Sequence, residues 1–508
     1  MLISLPTGII LEVCRILGWR DILRVSETCR TLFEISQDRS IWITLAHHSP
    51  TLLYLPILEA PIDTYTTREL KNLVLRNISS TLGWNSSRKP QERTVPQGEF
   101  PIGQGGRILL PGGRWLLTWG SNLADHNPNY YQAISAYDLD SPELASSIIY
   151  KGTYPESDMV LVETFAQTDR TPSGVGLAFT VGLIFEDFNE FPPMRFDVLR
   201  IEQRGHGLEA KLVTSTIKSL SCYEQVVDML GDYIMMSYWT SAILHVSHCQ
   251  VKILNWRTSS SNRHALSFFN IIESRADIRI LPENKILVIE GSRIAIYGIP
   301  ELRWTKPSEH EDYPIVQQPI WSASLSPEAQ NFNMFKSSKP SYGPFATRLA
   351  FTRNDQIYGL VIPHDGRTPA LHVLATVPAL SSHLTVDFAR VIVCIDKIYS
   401  KPFLSEPKAS MLSFSWPEEA DLAQPMDWVP PILHLMYKQF AGHRMSVKLG
   451  YYRDVVDEVS GRVVIPLYTN QTAIRGWSVV EFAHPHFLLS SVPSSNLSLS
   501  PLVSWYAW

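Results

Sequence analysis

Few residues in this chain are spaced for chemistry. His47-His48 is an adjacent pair, whereas two imidazoles sharing a metal from one helix need i, i+4 spacing. His364-Asp365 and His484-Pro485-His486 lie in loop-like sequence with no further ligand nearby. "FEDFNEFPP" at 185–193 carries three carboxylates, fewer than the ordered set of oxygens that calcium requires, so it reads as a solvated loop. "GQGG" at 103–106 has no strand–loop–helix frame and no following Lys-Ser/Thr, so it reads as a turn and not a phosphate cradle. No G-x-S-x-G elbow and no H-E-x-x-H occurs. Five dispersed cysteines without a C-x-x-C pair suit a reducing compartment and give neither a zinc site nor a disulfide framework. The expectation is a chain without catalytic residues, cofactor or metal, one that works by binding.

The elements that do the binding must then be found. The 508 residues are 45% hydrophobic and 18% charged, an ordinary globular composition. A net charge of −5 argues against a nucleic-acid partner, which calls for a basic surface. No run of 18 apolar residues appears, so no membrane span is expected. The expected location is the cytoplasm or nucleus. The sequons at Asn77, Asn85, Asn470 and Asn496 then read as chance matches.

The chain opens on "LPTGIILEVCRIL", residues 5–17, which could be a signal peptide, an amphipathic core helix or a helix for a partner. A signal peptide is disfavoured, because no positive region precedes it and Pro6, Glu12 and Arg15 interrupt it. Pro6 suits a first helical turn, and Ile9, Ile10, Val13, Ile16 and Leu17 recur on one helical face. Asp21 is the expected N-cap of a second helix with Ile22, Leu23 and Val25. A third stretch holds Cys29, Leu32, Phe33 and Ile35, and a last turn holds Ile41, Trp42 and Leu45. Some 45 residues cannot enclose all these side chains. Leaving five or six in water would forfeit on the order of 10 kcal/mol, so this face implies a covering surface in cis or in trans.

Residues 5–46 resemble an F-box. The matching features are Leu5-Pro6, the apolar first helix Ile9 to Leu17, Asp21-Ile22, Val25 to Cys29-Arg30, and Ile41-Trp42. One position departs: the residue after Leu-Pro-x is usually acidic in that family and is Gly8 here, which removes a favourable charge near a helix N-terminus. The resemblance implies docking on a Skp-type adaptor and, through it, on a cullin–RING ubiquitin ligase. It assigns adaptor contact to Leu5, Pro6, Ile9, Ile10, Val13, Leu17, Leu23, Val25, Cys29, Leu32, Ile41 and Trp42. Cys29, Leu32 and Trp42 serve equally well as core of the module itself.

Residues 47–84 read as a helical linker, with Thr66 and Glu69 at capping-box spacing and a stripe of Leu70, Leu73, Val74 and Ile78. The helix is expected to pack as a strut between the two domains. Residues 85–100 are polar, contain two prolines and read as an exposed connector.

From 101 to 508 short β-type runs come in seven pairs, whose second members are centred near 135, 197, 253, 296, 359, 413 and 479. The step of about 57 residues exceeds the roughly 40–50 of WD-type and kelch-type blades, and long surface loops absorb the surplus. In "RIAIYGI" Ile294 and Ile296 lie on one side and Ala295, Tyr297 and Ile299 on the other, so the strand is apolar on both faces. Such strands belong in stacked sheets, and a ring of blades supplies that burial. Trp115, Trp119, Trp239, Trp256, Trp416 and Trp477 fall in or beside these runs and are expected in blade cores. Tyr130 and Tyr131, at the end of "LADHNPNYY", are the best exposed-aromatic candidates, and 427–440 reads as either a helix or a blade edge. Tyr137-Asp138 and Phe196-Asp197 resemble the WD dipeptide, and "LLPGGRWLLTW" followed by "AYDL" resembles the first blade of fungal F-box proteins with propeller-like regions.

The expected fold is therefore multidomain: a small all-α F-box module (1–46), then an all-β, WD-like propeller of about seven blades. Six or eight blades, a large β sandwich and two β domains remain open. The expected function is substrate recognition in a Skp–cullin–F-box type E3 ligase, with the propeller holding a target protein. An adaptor-bound scaffold outside ubiquitination and a propeller enzyme are the alternatives.

Overall fold

The computed structural model describes residues 5–47, 62–84 and 91–96 and, from 107 to 483, the strands with many of the turns that join them. Among these residues a few N-terminal helices precede a region made of strands.

The helices are short and packed on one another. Helix α1 (Thr7–Ile16) starts from Pro6, which is its N-cap and not a first-turn residue: its carbonyl accepts the N–H of Ile9 at 2.9 Å and of Ile10 at 3.2 Å. Helix α2 (Trp19–Ser26) begins at the Gly18 cap, three residues before the expected cap, so Asp21 sits in its first turn. That placement still sets a carboxylate beside the positive end of the helix dipole. Helix α3 (Arg30–Ser36) follows a Cys29 cap, and α4 (Arg39–His47) follows Asp38, whose carboxylate accepts the Ser40 N–H at 2.9 Å. Helix α5 (Thr67–Trp84) opens on the expected capping box: Thr66 N–H donates to Glu69 Oε2 at 2.8 Å and Glu69 N–H donates to Thr66 Oγ1 at 3.3 Å.

Ile10, Cys14, Ile22, Leu32, Ile35, Ile41, Trp42 and Ala46 form one core with Leu70, Val74 and Leu75 of α5. A covering surface for the apolar front helices thus comes in part from the chain itself. Each large side chain buried there is worth roughly 1.5–3 kcal/mol.

The strands form seven antiparallel sheets among the described residues. Sheet I holds Arg107–Leu109, Trp115–Ser121, Tyr131–Asp138 and Ser146–Thr153. Sheet II holds Met159–Thr168, Ala178–Asp187, Pro193–Arg204 and Gly207–Ser219. Sheet III runs from Glu224–Leu230 through Tyr233–Ser241, Ser247–Asn255 and His264–Ile271, with Arg303–Thr305 added at its end. Sheet IV holds Asp277–Leu281, Lys285–Ile289, Arg293–Gly298 and Trp321–Ser324. In sheet V, Lys336–Ser337 and Ser341–Tyr342 both pair with Ala346–Arg353, and Gln356–Pro363 and Ala370–Thr376 follow on its other side. Sheet VI holds Leu384–Val386, Arg390–Ile395, Lys408–Ser413 and Leu435–Tyr437. Sheet VII holds Val456–Asp457, Arg462–Thr469 and Ala473–Glu481, and its last strand is Gln91–Pro96.

That last strand corrects the reading of 85–100 as an exposed connector. Residues 91–96 pair with Ala473–Glu481 in register from Gln91 opposite Glu481 to Pro96 opposite Gly476, and Val95 is fully buried. The segment looks polar because it is an outer strand with one wet face. Leu435–Tyr437 resolves another open point, since it is the edge of sheet VI.

Each expected strand pair is the central hairpin of one sheet. Consecutive sheets share apolar cores: I with II, II with III, III with IV and IV with V. Ala295 and Tyr297 face the core shared with sheet III, and Ile294 and Ile296 face that shared with sheet V, as the two-sided pattern requires. Sheet V meets VI where Arg348 lies over Trp416 at 5.6 Å, and sheet VII meets I where Arg107 lies over Trp477 at 5.2 Å. First strands touch first strands (sheets II and III, III and IV, V and VI), and the last strands of sheets I and II touch each other. Trp115, Trp119, Trp256 and Trp477 are buried between sheets, Trp416 is half-buried, and the Trp239 side chain lies outside the described residues.

Candidate docking surface on the helical module

The module presents two faces with opposite fates. On α1, Ile10 and Cys14 point into the core, while Ile9 and Ile16 are 51% and 84% exposed. Leu5, just before the helix, is 41% exposed, and Phe33 on α3 is 39% exposed. Ile9, Glu12 and Ile16 follow i, i+3, i+7 spacing on α1, so they form one stripe turned away from the core, and Leu5 lies exposed just before it. Large aliphatic side chains held in water this way mark a surface built for a partner when they cluster on one element.

Of the twelve positions expected to touch an adaptor, Leu5, Pro6 and Ile9 are exposed, and Val13, Leu17, Leu23, Val25 and Cys29 are half-buried. Ile10, Leu32, Ile41 and Trp42 are corrected: each is at most 5% exposed in the shared core, where α5 and neighbouring helices leave a partner no access. Ile16 and Phe33 stand outside those twelve and are exposed large apolar side chains. Their signal was phase: with Leu32 and Ile35 inward, Phe33 must face out, and with Cys14 inward Ile16 must too.

Polar groups hold this surface in shape. Arg15 pairs with Glu12 and donates from Nε and Nη2 to Ser40 Oγ at 3.1 and 2.9 Å, which ties α1 to the start of α4. Arg24 meets Asp21 at 3.2 Å and Arg30 meets Glu34 at 3.0 Å, exposed helix pairs worth about 0.3–0.5 kcal/mol each. Burial pushes the Cys14 thiol up and the Lys71 ammonium down from their ordinary values. Lys71 Nζ lies 5.5 Å from the Trp42 ring and donates to Gln37 Oε1 at 3.2 Å, so α5 is held to the module by a cation over an aromatic face as well as by apolar contact.

Two of the chemistry candidates, His364 and Asp365, lie among the described residues and make local bonds. His364 shares a 3.0 Å hydrogen bond with Thr347, and Asp365 pairs with Arg367 at 2.7 Å. Asp138 accepts two bonds from Arg114, at 3.1 and 2.9 Å, and the fully buried Asp197 accepts from Arg195 at 2.8 Å and Ser215 at 2.6 Å. The two WD-like aspartates therefore serve their own sheets. Asn77 is 4% exposed within α5, so that sequon is inaccessible. Among the described residues no three His, Cys, Asp or Glu side chains could hold a metal, and no helix is long and apolar enough to cross a membrane. The GQGG turn, His48, Tyr130, the loop at 188–192 and His484-Pro485-His486 lie outside the described residues.

No family model and no curated protein matches the sequence. Solved structures that align with the chain are WD40 and β-propeller domains. The WD40 domain of SCAP from fission yeast aligns over 78% of this chain and 98% of its own, at 10% identity and a TM-score of 0.37. The β-propeller domain of the Trilobed protease from Pyrococcus furiosus, described as having an open velcro topology, aligns over 60% and 81%, at 10% identity and a TM-score of 0.28. A complex of the fission yeast SREBP–SCAP binding domains aligns over 68% and 74%, at 10% identity and a TM-score of 0.28.

Proposed function

We propose that this chain is a non-catalytic substrate receptor of a Skp–cullin–F-box type ubiquitin ligase, working in the cytoplasm or nucleus. The helical module would grip a Skp-type adaptor, and the β region would hold a target protein. The observation that carries this reading is the α1 stripe. Leu5, Ile9 and Ile16 stay in water although the module already has a closed core, and two of the three fall where the F-box resemblance assigns adaptor contact. The buried Ile10, Leu32, Ile41 and Trp42 then act as the scaffold that presents the stripe. Gly8, in the first turn of α1, has no side chain to add to that grip, and α1 has no acidic residue in its first turn.

We read the seven sheets as blades of one ring. Sheet VII combines the N-terminal strand Gln91–Pro96 with C-terminal strands, and the contacts of first strand with first and last with last fit blades arranged about an axis. A ring of this kind offers loop-lined faces to a protein target, and linking it to an adaptor raises the effective concentration of that target beside the ubiquitin-transfer machinery.

The test is binding of the full chain to a purified Skp-type adaptor by calorimetry. Ile16→Asp and Phe33→Asp should each weaken binding at least about tenfold, the scale of one desolvated apolar contact of ~1.4 kcal/mol. Unfolding free energy should move by no more than about 0.5 kcal/mol, as for ordinary surface substitutions. Wild-type protein that shows no heat of binding at micromolar adaptor sinks the reading. Binding to adaptor with no recruitment of a cullin would favour the scaffold alternative.

A further inference from the structure

Three elements distant in sequence converge at the seam between sheets I and VII. They are helix α5, residues 112–114 at the start of the second strand of sheet I, and Asp457 with residues 460–462 of sheet VII. Two glycines in the left-handed region let their backbones meet. A Cβ on Gly461 (φ +69°) would lie 2.6 Å from Ser80 Oγ of α5 and 3.0 Å from the Ala483 nitrogen. A Cβ on Gly113 (φ +67°) would overlap Ser460 Oγ at 1.8 Å. No side chain fits at either point.

The charges at this junction are shared among the same elements. Arg76 of α5 makes a two-pronged bond to Asp140, Nη1 to Oδ2 at 3.0 Å and Nη2 to Oδ1 at 3.1 Å. Asp140 Oδ1 is also 2.7 Å from Arg462 Nη1. Arg462, with a side chain only 7% exposed, reaches Glu481 at 2.7 Å and the sheet I carbonyls of Gly113 at 2.7 Å and Leu139 at 3.3 Å. Arg93, on the strand that follows α5, meets Glu481 at 3.0 Å and donates to the Leu139 carbonyl. Asp457 crosses the seam to accept the Gly112 N–H at 3.2 Å and accepts the Ser460 N–H at 2.8 Å.

We propose that α5 is a latch: docking of the helical arm and closure of the seam between the first and last sheets are one cooperative event. Asp140 is the shared member, held by α5 on one side and by the buried Arg462 on the other. Removing the α5 prong takes one of the two guanidiniums from the Asp140 carboxylate and cuts its link to the helix, and partly satisfied buried networks are costly. Chain continuity acts the same way. Helix α5 ends at Trp84 and the outer strand of sheet VII begins at Gln91, so only six residues tether the strand to the helix. The proposal stands on contacts within the chain and does not depend on the adaptor reading.

Native-state hydrogen exchange on the full chain tests it, with the Gly112 amide as reporter because its bond crosses the seam. Arg76→Ala should speed exchange at least about tenfold at Gly112, at Gly461 and along residues 91–95, the effect of ~1.4 kcal/mol of easier local opening. Amides of sheets III and IV should keep their wild-type rates. A rise confined to the helices, or one spread evenly through sheets III and IV, overturns the proposal. Should Arg76→Ala not fold, Arg76→Lys keeps the charge and loses the two-pronged geometry. A smaller rise at the same amides supports the latch, and unchanged seam amides beside faster helices refute it.

Discussion

Trp42 donates its indole N–H to the Ser36 carbonyl at 2.9 Å, six residues back and inside the core of the helical module. The side chain is 1% exposed and has Lys71 of α5 over its ring. A buried tryptophan with its one polar atom satisfied and a neighbour on its face is fixed in place. It organises the module, and a partner cannot reach it.

Trp42→Ala should therefore act on stability before it acts on binding. It should cost about 3–5 kcal/mol, the range for emptying a large aromatic from a core, and it leaves the Ser36 carbonyl without this donor. Urea unfolding followed by circular dichroism would measure it. If the variant keeps wild-type stability and loses only partner binding, Trp42 belongs to the docking surface after all.

The central hairpins were legible because burial of both strand faces, where the structure describes it, makes continuous apolar runs that need no partner to be seen. Sheet IV shows it: "KILVI" and "RIAIYG" are buried at nearly every position. The outer strands were not legible for the opposite reason. "GLEAKLVTSTIKS" has Leu212 and Val213 exposed and alternates without a strong bias, and "QERTVP" buries Val95 among residues that mostly face water. On the module, the helical period was visible, but which side faced inward depends on α5, about 60 residues away. Ile9 and Ile10 are adjacent and chemically identical, and only the position of α5 and the other helices decides that the second is core and the first is surface.

Val95→Asp probes the one strand that sequence reasoning placed in solvent. Val95 is fully buried opposite Trp477. The variant should lose a few kcal/mol, since it gives up the buried apolar contact and takes a carboxylate out of water. Val95→Ile should stay within about 1.5 kcal/mol, as volume-similar apolar swaps do. Equal thermal stability of Val95→Asp and wild type would return residues 91–96 to the status of a connector.

Asp140 sets a pH dependence with a definite sign. Burial alone would raise its carboxyl, but the Arg76 and Arg462 guanidiniums outweigh that and hold it well below the ordinary 3.8. A depressed folded value means the contribution is present in full above the unfolded value and is lost as pH falls through it. The stability gap between wild type and Asp140→Asn should thus be widest at pH 5–7 and narrow steadily below about pH 4. Asp457, raised by burial, works in the opposite sense and is common to both proteins, so the difference isolates Asp140. Urea midpoints from pH 3 to 7 give the curve. A gap that stays constant to pH 3 would mean that the fold holds Asp140 no more tightly as a carboxylate than as the neutral acid.

Gly461→Ala separates backbone strain from close approach. The left-handed conformation alone costs a non-glycine residue roughly 1–2 kcal/mol. Gly205, at φ +60° with nothing within 4 Å of the point a Cβ would occupy, supplies that term by itself. Gly461 adds Ser80 Oγ at 2.6 Å and the Ala483 backbone nitrogen at 3.0 Å. A serine hydroxyl can turn aside, whereas the backbone nitrogen and the Ser80 Cβ, also 3.0 Å away, move only if α5 or the end of sheet VII moves. Gly461→Ala should therefore destabilise the chain clearly more than Gly205→Ala, and the excess should fall when Ser80 is also replaced by glycine. If both alanine variants lose the same free energy, α5 yields to the added methyl at no cost, and the tight junction between helix and sheet VII does not contribute to stability.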